Sequence, residues 1–394
     1  MKILAALLLL PALGLAGNPV TCELIGTYDI ARLNKVLTTE LAEFSDYPAK
    51  MPTATNAVRL YRIVYPSVVP EQNNRPTKAS GLLAIPDGAP GKLPVVSYQH
   101  GTVFSKTEVP SHPDESMETR LMLAAFAGRG YVVVAADYFG KGESPETDAY
   151  LVKASAQQAC YDMLTSARAA SADLKVEWGD LFLTGWSQGG WTTMVFLNRL
   201  EEAAVPVKAA STASAPNDLF AAINHWIHSP SDNDASFIPG LLALQLPAYE
   251  RYYGLSGLAD AAIVPDCQTA ARDLYLNNKT WAEAGLPKTL ARFLQEPFAA
   301  ESSLAGNAYW KILRENQAYQ WRSVTPLRIY YGEVDEVVPP AIAMLPAAYQ
   351  KTVGGAQTTA IEVEGKLATH RGTFVHAVAE QAKWFDELIL SPKK

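Results

Sequence analysis

The sequence predicts an α/β fold: a mostly parallel central sheet flanked by helices, with a helical segment inserted before one of the last strands. Three observations predict it. Short, β-branched-rich runs alternate with segments of helical periodicity along most of the chain, the pattern of βαβ units. Two runs of alternating polarity near residues 60 and 80 come first and read as an antiparallel opening pair. The stretch 217–319 then breaks the alternation with aromatics and prolines before it resumes.

Taken in order, "AVRLYRIVYPS" (57–67) and "TKASGLLAIPDG" (77–88) flank a polar Asn-Asn-Arg-Pro turn and form the opening pair. "LPVVSYQHGT" (93–102) and "YVVVAADYFG" (131–140) are continuous apolar runs, which suits parallel strands buried on both faces. Between them "ESMETRLMLAAFAGRGY" is helical and stops at Gly-Arg-Gly. A helix over 148–173, the strand "DLFLTGWS", a helix over 188–202 and the strand "VKAASTASAP" continue the pattern. Residues 217–319 read as several short helices, because a compact domain rarely holds a structureless insert of that length. The strand "LRIYYGEVDEVVPP", a helix over 341–352, the strand "TTAIEVEG" and a last helix ending in "AVAEQAKWFDELIL" complete the chain.

Composition bounds the function. The 394 residues are 48% hydrophobic and 19% charged, a globular composition. Residues 1–16 combine Lys2, a short Leu/Ala run and small residues, as in a cleavable signal peptide, so export to the periplasm or outside the cell is expected. That run is shorter than the ~20 apolar residues a membrane span needs, and Cys22 follows no lipobox, so no stable membrane anchor is expected. The net charge is -7, which makes nucleic acid and anionic membranes unfavourable partners. Cys22, Cys160 and Cys267 permit one disulfide without identifying the pair. No Cys/His cluster has metal-ligand spacing, so neither a metal nor a cofactor is expected.

"LFLTGWSQGGW" (181–191) carries the chemistry. A strand that turns directly into a helix at Ser187 forces that residue into strained backbone, and Gly185 and Gly189 keep the turn free of clashes. The hydroxyl then emerges at the carboxyl end of the sheet, and the Gln188 N–H sits at a helix N-terminus where a negative oxygen can be held. A serine needs a base, and the base needs an acid. Asp335 follows one strand in a Gly-x-x-Asp-x-x-Val-Pro turn, and His370 follows the next, just before the final helix. Ser, Asp and His in that order, each after a strand, meet the requirement.

The rivals are Glu333 and Glu336 for the acid and His376 for the base. The two glutamates read as solvated loop carboxylates, and His376 reads as a helix residue. His112, His225 and His228 lie in the loop or the insert, where they can at most touch substrate. In "YQHGTVF" the loop after a strand supplies Thr102 as the second oxyanion donor beside Gln188, with His100 bracing the loop. "DYFGKGES" is glycine-rich but lacks the Lys-Ser/Thr of a P-loop, so Asp137 and its glycines shape a turn.

With these residues together, the chain resembles an α/β-hydrolase. The resemblance rests on the opening strands, His100-Gly101, the Asp137 loop, the Gly185 to Gly189 nucleophile elbow, Asp335 with its Val-Pro, and His370. The export signal and the large insert look similar to the secretory lipase family and related bacterial esterases. The resemblance implies a core over 17–216 and 320–394, a helical cap or lid over 217–319, and Ser187, Asp335 and His370 as a triad. The implied activity is that of a serine esterase or lipase without cofactor, acting on a small-molecule ester with an apolar acyl or aryl group. Two other readings stand beside it. One is a serine peptidase of prolyl-peptidase type, whose cap would bind a peptide amine through Glu250, Asp260 or Asp266; the other is a binding protein on a hydrolase scaffold.

Overall fold

A computed structural model describes residues 20–300 and 307–390. The expected signal segment, 1–16, lies outside the described residues. One nine-stranded sheet runs through the molecule in the order β1-β2-β3-β5-β4-β6-β7-β8-β9. Its strands are β1 (Thr21–Tyr28), β2 (Val58–Val69), β3 (Arg75–Pro86), β4 (Leu93–Gln99), β5 (Val132–Ala136), β6 (Trp178–Trp186), β7 (Ala209–Ala213), β8 (Leu327–Gly332) and β9 (Thr358–Val363). β1, β2, β3 and β5 are joined by antiparallel pairing, and all pairing from β5 through β4 to β9 is parallel.

The opening pair is as expected, with Tyr61 opposite Leu83 in its middle. A third antiparallel strand, β1, precedes it. Its residues are mostly exposed, so it carries too little apolar alternation to be read from sequence. Two short helices, α1 (Ile30–Lys35) and α2 (Leu41–Ser45), follow it, joined by a π turn over Val36–Glu40. β4 and β5 are almost wholly buried, which is why their sequences are continuous apolar runs.

Helices α3 (Met117–Ala125), α4 (Lys153–Asp173) and α5 (Gln188–Glu202) make the crossovers. The start of α4 corrects the expected start at residue 148. Asp148 is drawn into a buried ion pair with Lys141 at 3.1 Å, and Leu151 takes a positive φ of 56° that no helix continues through. Between β7 and β8 the described residues form α6 (Leu219–His228), α7 (Ile238–Tyr253), α8 (Leu258–Ala262), α9 (Pro265–Tyr275), α10 (Trp281–Ala284), α11 (Leu290–Phe293), α12 (Glu296–Ala299) and α13 (Ala308–Glu315). The aromatics in this stretch form its packing, including Phe298 against Tyr309 and Trp310. The helix expected over 341–352 is two, α14 (Pro340–Ala343) and α15 (Leu345–Val353), with Pro346 in the first turn of the second. The chain closes on α16 (His370–Leu390), so His370 opens the helix it was expected to precede. The three cysteines are unpaired: Cys160 is buried in α4, and Cys22 sits on β1.

Candidate active site

β6 delivers Ser187 with φ 54° and ψ -126°, a conformation that side chains seldom adopt. The turn holds because the Ser187 N–H donates to the Ala213 carbonyl of β7 at 2.9 Å, and Trp191 N–H returns to the Ser187 carbonyl at 3.1 Å. A Cβ at Gly189 would collide with the carbonyls of Gln99 and His100, and one at Gly185 with those of Gly189 and Gln99. The glycines therefore admit the backbone of β4 against the elbow, beyond easing the turn itself. α5 begins at Gln188 with no acidic residue in its first turn, leaving its N-terminal dipole free to face an anion.

The loop after β8 carries Asp335 to the first turn of α16. His370 Nδ1 lies 2.9 Å from Asp335 Oδ1 and 3.1 Å from Oδ2. Asp335 Oδ1 also accepts the N–H groups of Val337 and Val338, each at 2.9 Å, which fixes the carboxylate plane. Burial pushes the Asp335 carboxyl up, but the His370 charge and the bonds it receives outweigh burial and hold it below the ordinary 3.8. Burial likewise pushes His370 down, and Asp335 with Glu336 and Glu118 raises it above the ordinary 6.5. The His370 ring rests on the indole of Trp186, the residue before Ser187, with centroids 4.9 Å apart. Its Nε2 is the nitrogen that Asp335 does not engage.

The rivals have other partners. Glu336 caps α16 by accepting the His370 N–H at 2.9 Å, and Glu333 is exposed. His376 lies inside α16 edge-on to Tyr330, away from Asp335. His100 is buried and braced: Nδ1 meets the Gly101 carbonyl at 2.8 Å, Nε2 meets the Asp137 carbonyl at 3.2 Å, and its ring stacks on Tyr138. Burial lowers its pKa to about 4, so it is a neutral strut. The Asp137 carboxylate accepts from Ser80 Oγ and Ser111 N–H, shaping the turn as expected. The Thr102 hydroxyl bonds that of Tyr150 at 2.8 Å, and Tyr150 lines the cavity over Ser187 and Gln188.

That cavity is apolar and small. Leu219, Ile223, Trp226, Leu241, Val337 and Val338 contribute to its wall, its volume is about 20 Å³, and Ser187 is 9% exposed. Such a space holds about one water. A groove of about 1360 Å³ lies instead at the amino ends of the strands, lined by Lys92, Trp178, Lys208 and their neighbours; it holds none of the candidate residues. Among the described residues no cluster of His, Cys, Asp and Glu could hold a metal, and no helix is long and apolar enough to cross a membrane.

Residues 117–215, which span the elbow, match the Prolyl oligopeptidase family. No curated protein sequence is significantly similar to the chain. Among solved structures, a Legionella pneumophila protein is 22% identical, with a TM-score of 0.83 over 95% of this chain and 99% of that one. The rice cell wall degrading esterase LipA from Xanthomonas oryzae is 21% identical, with a TM-score of 0.80 over 93% of this chain and 96% of that one. The chain has the α/β-hydrolase fold. Candida antarctica lipase A shares it at 16% identity and a TM-score of 0.65, over 94% of this chain and 83% of that one.

Within this α/β-hydrolase fold, sequence reasoning missed the residues that hold the loop after β4. Glu118 of α3 is partly buried, and its Oε2 accepts the Gly101 N–H at 2.9 Å and the Tyr98 hydroxyl at 2.7 Å. Burial pushes its carboxyl above the ordinary range, against those bonds. The signal was present: Glu118 shares a helix face with Leu121, Met122 and Ala125, an acid on an apolar stripe. Lys141 steadies the other side of the loop by reaching the Val103 carbonyl at 3.2 Å from its pair with Asp148.

Proposed function

We propose that this α/β-hydrolase-fold protein is a secreted or periplasmic serine hydrolase that cleaves carboxylic esters through Ser187, His370 and Asp335. The observation that carries the reading is the buried His370–Asp335 pair at 2.9 Å, whose ring packs on Trp186, the residue before a serine in strained elbow geometry. Asp335 holds the proton on Nδ1, which leaves Nε2 as the base. Nε2 takes the Ser187 proton as Oγ attacks the ester carbonyl, and the carbonyl oxygen becomes an oxyanion held by the N–H groups of Thr102 and Gln188. When the C–O bond breaks, the imidazolium returns the proton to the departing alcohol. Water, deprotonated by the same Nε2, then cleaves the acyl-enzyme and releases the acid.

Residues 217–319 act as the cap, and the small cavity over Ser187 supports a cap whose helices move to admit substrate. An apolar wall suits an acyl or aryl group. The peptidase reading loses its support in the same region. Glu250 accepts the N–H groups of Gly257 and Ala259, Asp260 pairs with Arg272, Asp266 is exposed on α9, and none of the three lines the cavity. Among the described residues that line the cavity, a positively charged peptide terminus would find no carboxylate.

The test is turnover by the mature chain of p-nitrophenyl esters of increasing acyl length beside aminoacyl anilides, with Ser187→Ala as control. Ester turnover that vanishes in the variant supports the proposal. Anilide cleavage alone overturns it in favour of a peptidase, and failure of an organophosphonate to label Ser187 overturns it in favour of a binding protein.

A further inference from the structure

Residues 147–152, which lead from the loop after β5 into α4, form neither helix nor strand, yet 148–152 are buried. The backbone carbonyls of such a segment need partners from elsewhere. Helices α7 and α9 supply three of them as tyrosine hydroxyls. Tyr252 of α7 donates to the Thr147 carbonyl at 2.7 Å, Tyr275 of α9 to that of Asp148 at 3.0 Å, and Tyr249 of α7 to that of Leu151 at 3.1 Å. Leu151 holds a φ of 56°, a conformation that persists only where its surroundings enforce it. The shape of this segment therefore depends on α7 and α9 being seated on it.

The same segment reaches the loop after β4. Tyr150 is 4% exposed, lines the cavity over Ser187 and shares a hydrogen bond with the Thr102 hydroxyl at 2.8 Å. Asp148, two residues earlier, pairs with Lys141, which reaches the Val103 carbonyl at 3.2 Å. A donor on an irregular loop stays aimed at one point when the side chains around it are tied down. We propose that Tyr150 is a positioning residue: it carries the seating of α7 and α9 to Thr102, so that the Thr102 N–H is aimed at the oxyanion only while those helices are in place. Closure of the cap over an ester then completes the oxyanion hole, which ties the reaction to a covered substrate. The inference rests on the ester-hydrolase reading above, in which Thr102 is an oxyanion donor. It adds a link between the cap and the chemistry.

Turnover of a p-nitrophenyl ester tests it, with kcat counted per site labelled to completion by an organophosphonate, so that misfolded protein does not enter the value. Tyr150→Phe keeps the ring in the cavity wall and removes the tie. It should lower kcat by roughly tenfold with KM nearly unchanged, short of the about 10²–10³ that loss of an oxyanion donor costs. Thr102→Val should do the same, and the double variant should fall no further than either single change, because both break one bond. Tyr252→Phe should also lower kcat, by a smaller factor in Tyr150→Phe protein than in wild type. Unchanged kcat in Tyr150→Phe, or losses that multiply in the double variant, overturn the positioning role. An equal fall in the two backgrounds, or no fall, from Tyr252→Phe overturns the link to α7. No Ser187-dependent turnover of any ester by wild type overturns the reading beneath it.

Discussion

The Gly101 N–H donates to the partly buried Glu118 carboxylate at 2.9 Å, and this bond fixes the peptide that leads into Thr102. Gly101 is also packed against the Trp186 indole, so the loop after β4, the elbow strand and the His370 ring share one small contact. Glu118→Ala should leave the Gly101 N–H and the Tyr98 hydroxyl unpaired, costing about 1–3 kcal/mol of stability for each buried group. It should also lower kcat by more than KM changes. Glu118→Gln keeps an acceptor and should recover most of the stability in a urea titration; equal losses from both variants would mean that the charge, not the bond, matters.

Removing the proposed base separates the two histidines. His370→Ala should abolish nearly all ester turnover, whereas His376→Ala should change kcat little, because His376 packs on Tyr330 rather than facing Asp335. Comparable losses in steady-state assays would undo the choice of His370.

The pH dependence follows from the raised pKa of His370. Only the neutral ring accepts the serine proton, so kcat/KM should fall on the acid side through a value above the ordinary 6.5. Asp335→Asn removes the largest upward influence, and the acid limb of any residual activity should move to lower pH, with kcat reduced by ~10⁴ as the tautomer is lost. For stability the two partners oppose each other. The raised His370 contributes fully below its unfolded pKa and loses that contribution as pH rises through its folded one. The depressed Asp335 contributes above its unfolded value and loses its contribution as pH falls through the folded one.

Trp226 should set the length of the bound arm. It lines the Ser187 cavity and, on its other side, a cleft of about 290 Å³ beside Ser231, Lys288 and Leu290, while its Nε1 donates to the Val337 carbonyl at 2.8 Å. Trp226→Ala should join the two spaces and shift the p-nitrophenyl ester optimum to longer chains, at a cost of about 3–5 kcal/mol in stability. An unchanged optimum in a folded variant would show that the arm runs elsewhere.

Much of this was legible in local sequence. The elbow, the strand order of Ser, Asp and His, the bracing role of His100 and the helical insert each rest on residues close together in the chain, where periodicity and turn chemistry act directly. β1 was not legible, because an exposed edge strand leaves no apolar alternation. The late start of α4 was not legible either, since it depends on Lys141 finding Asp148 across a folded loop.

The sequence by itself determined the order of elements and the chemical types at the site, because hydrophobic period and glycine-flanked turns are short-range properties of the chain. Only the tertiary structure decided which histidine faces Asp335 and that Glu118 holds the loop after β4. These depend on contacts between residues apart in sequence, such as Asp335 with His370 and Gly101 with Glu118. No local pattern encodes them, since burial and the choice of partner exist only once the sheet and the overlying helices have packed.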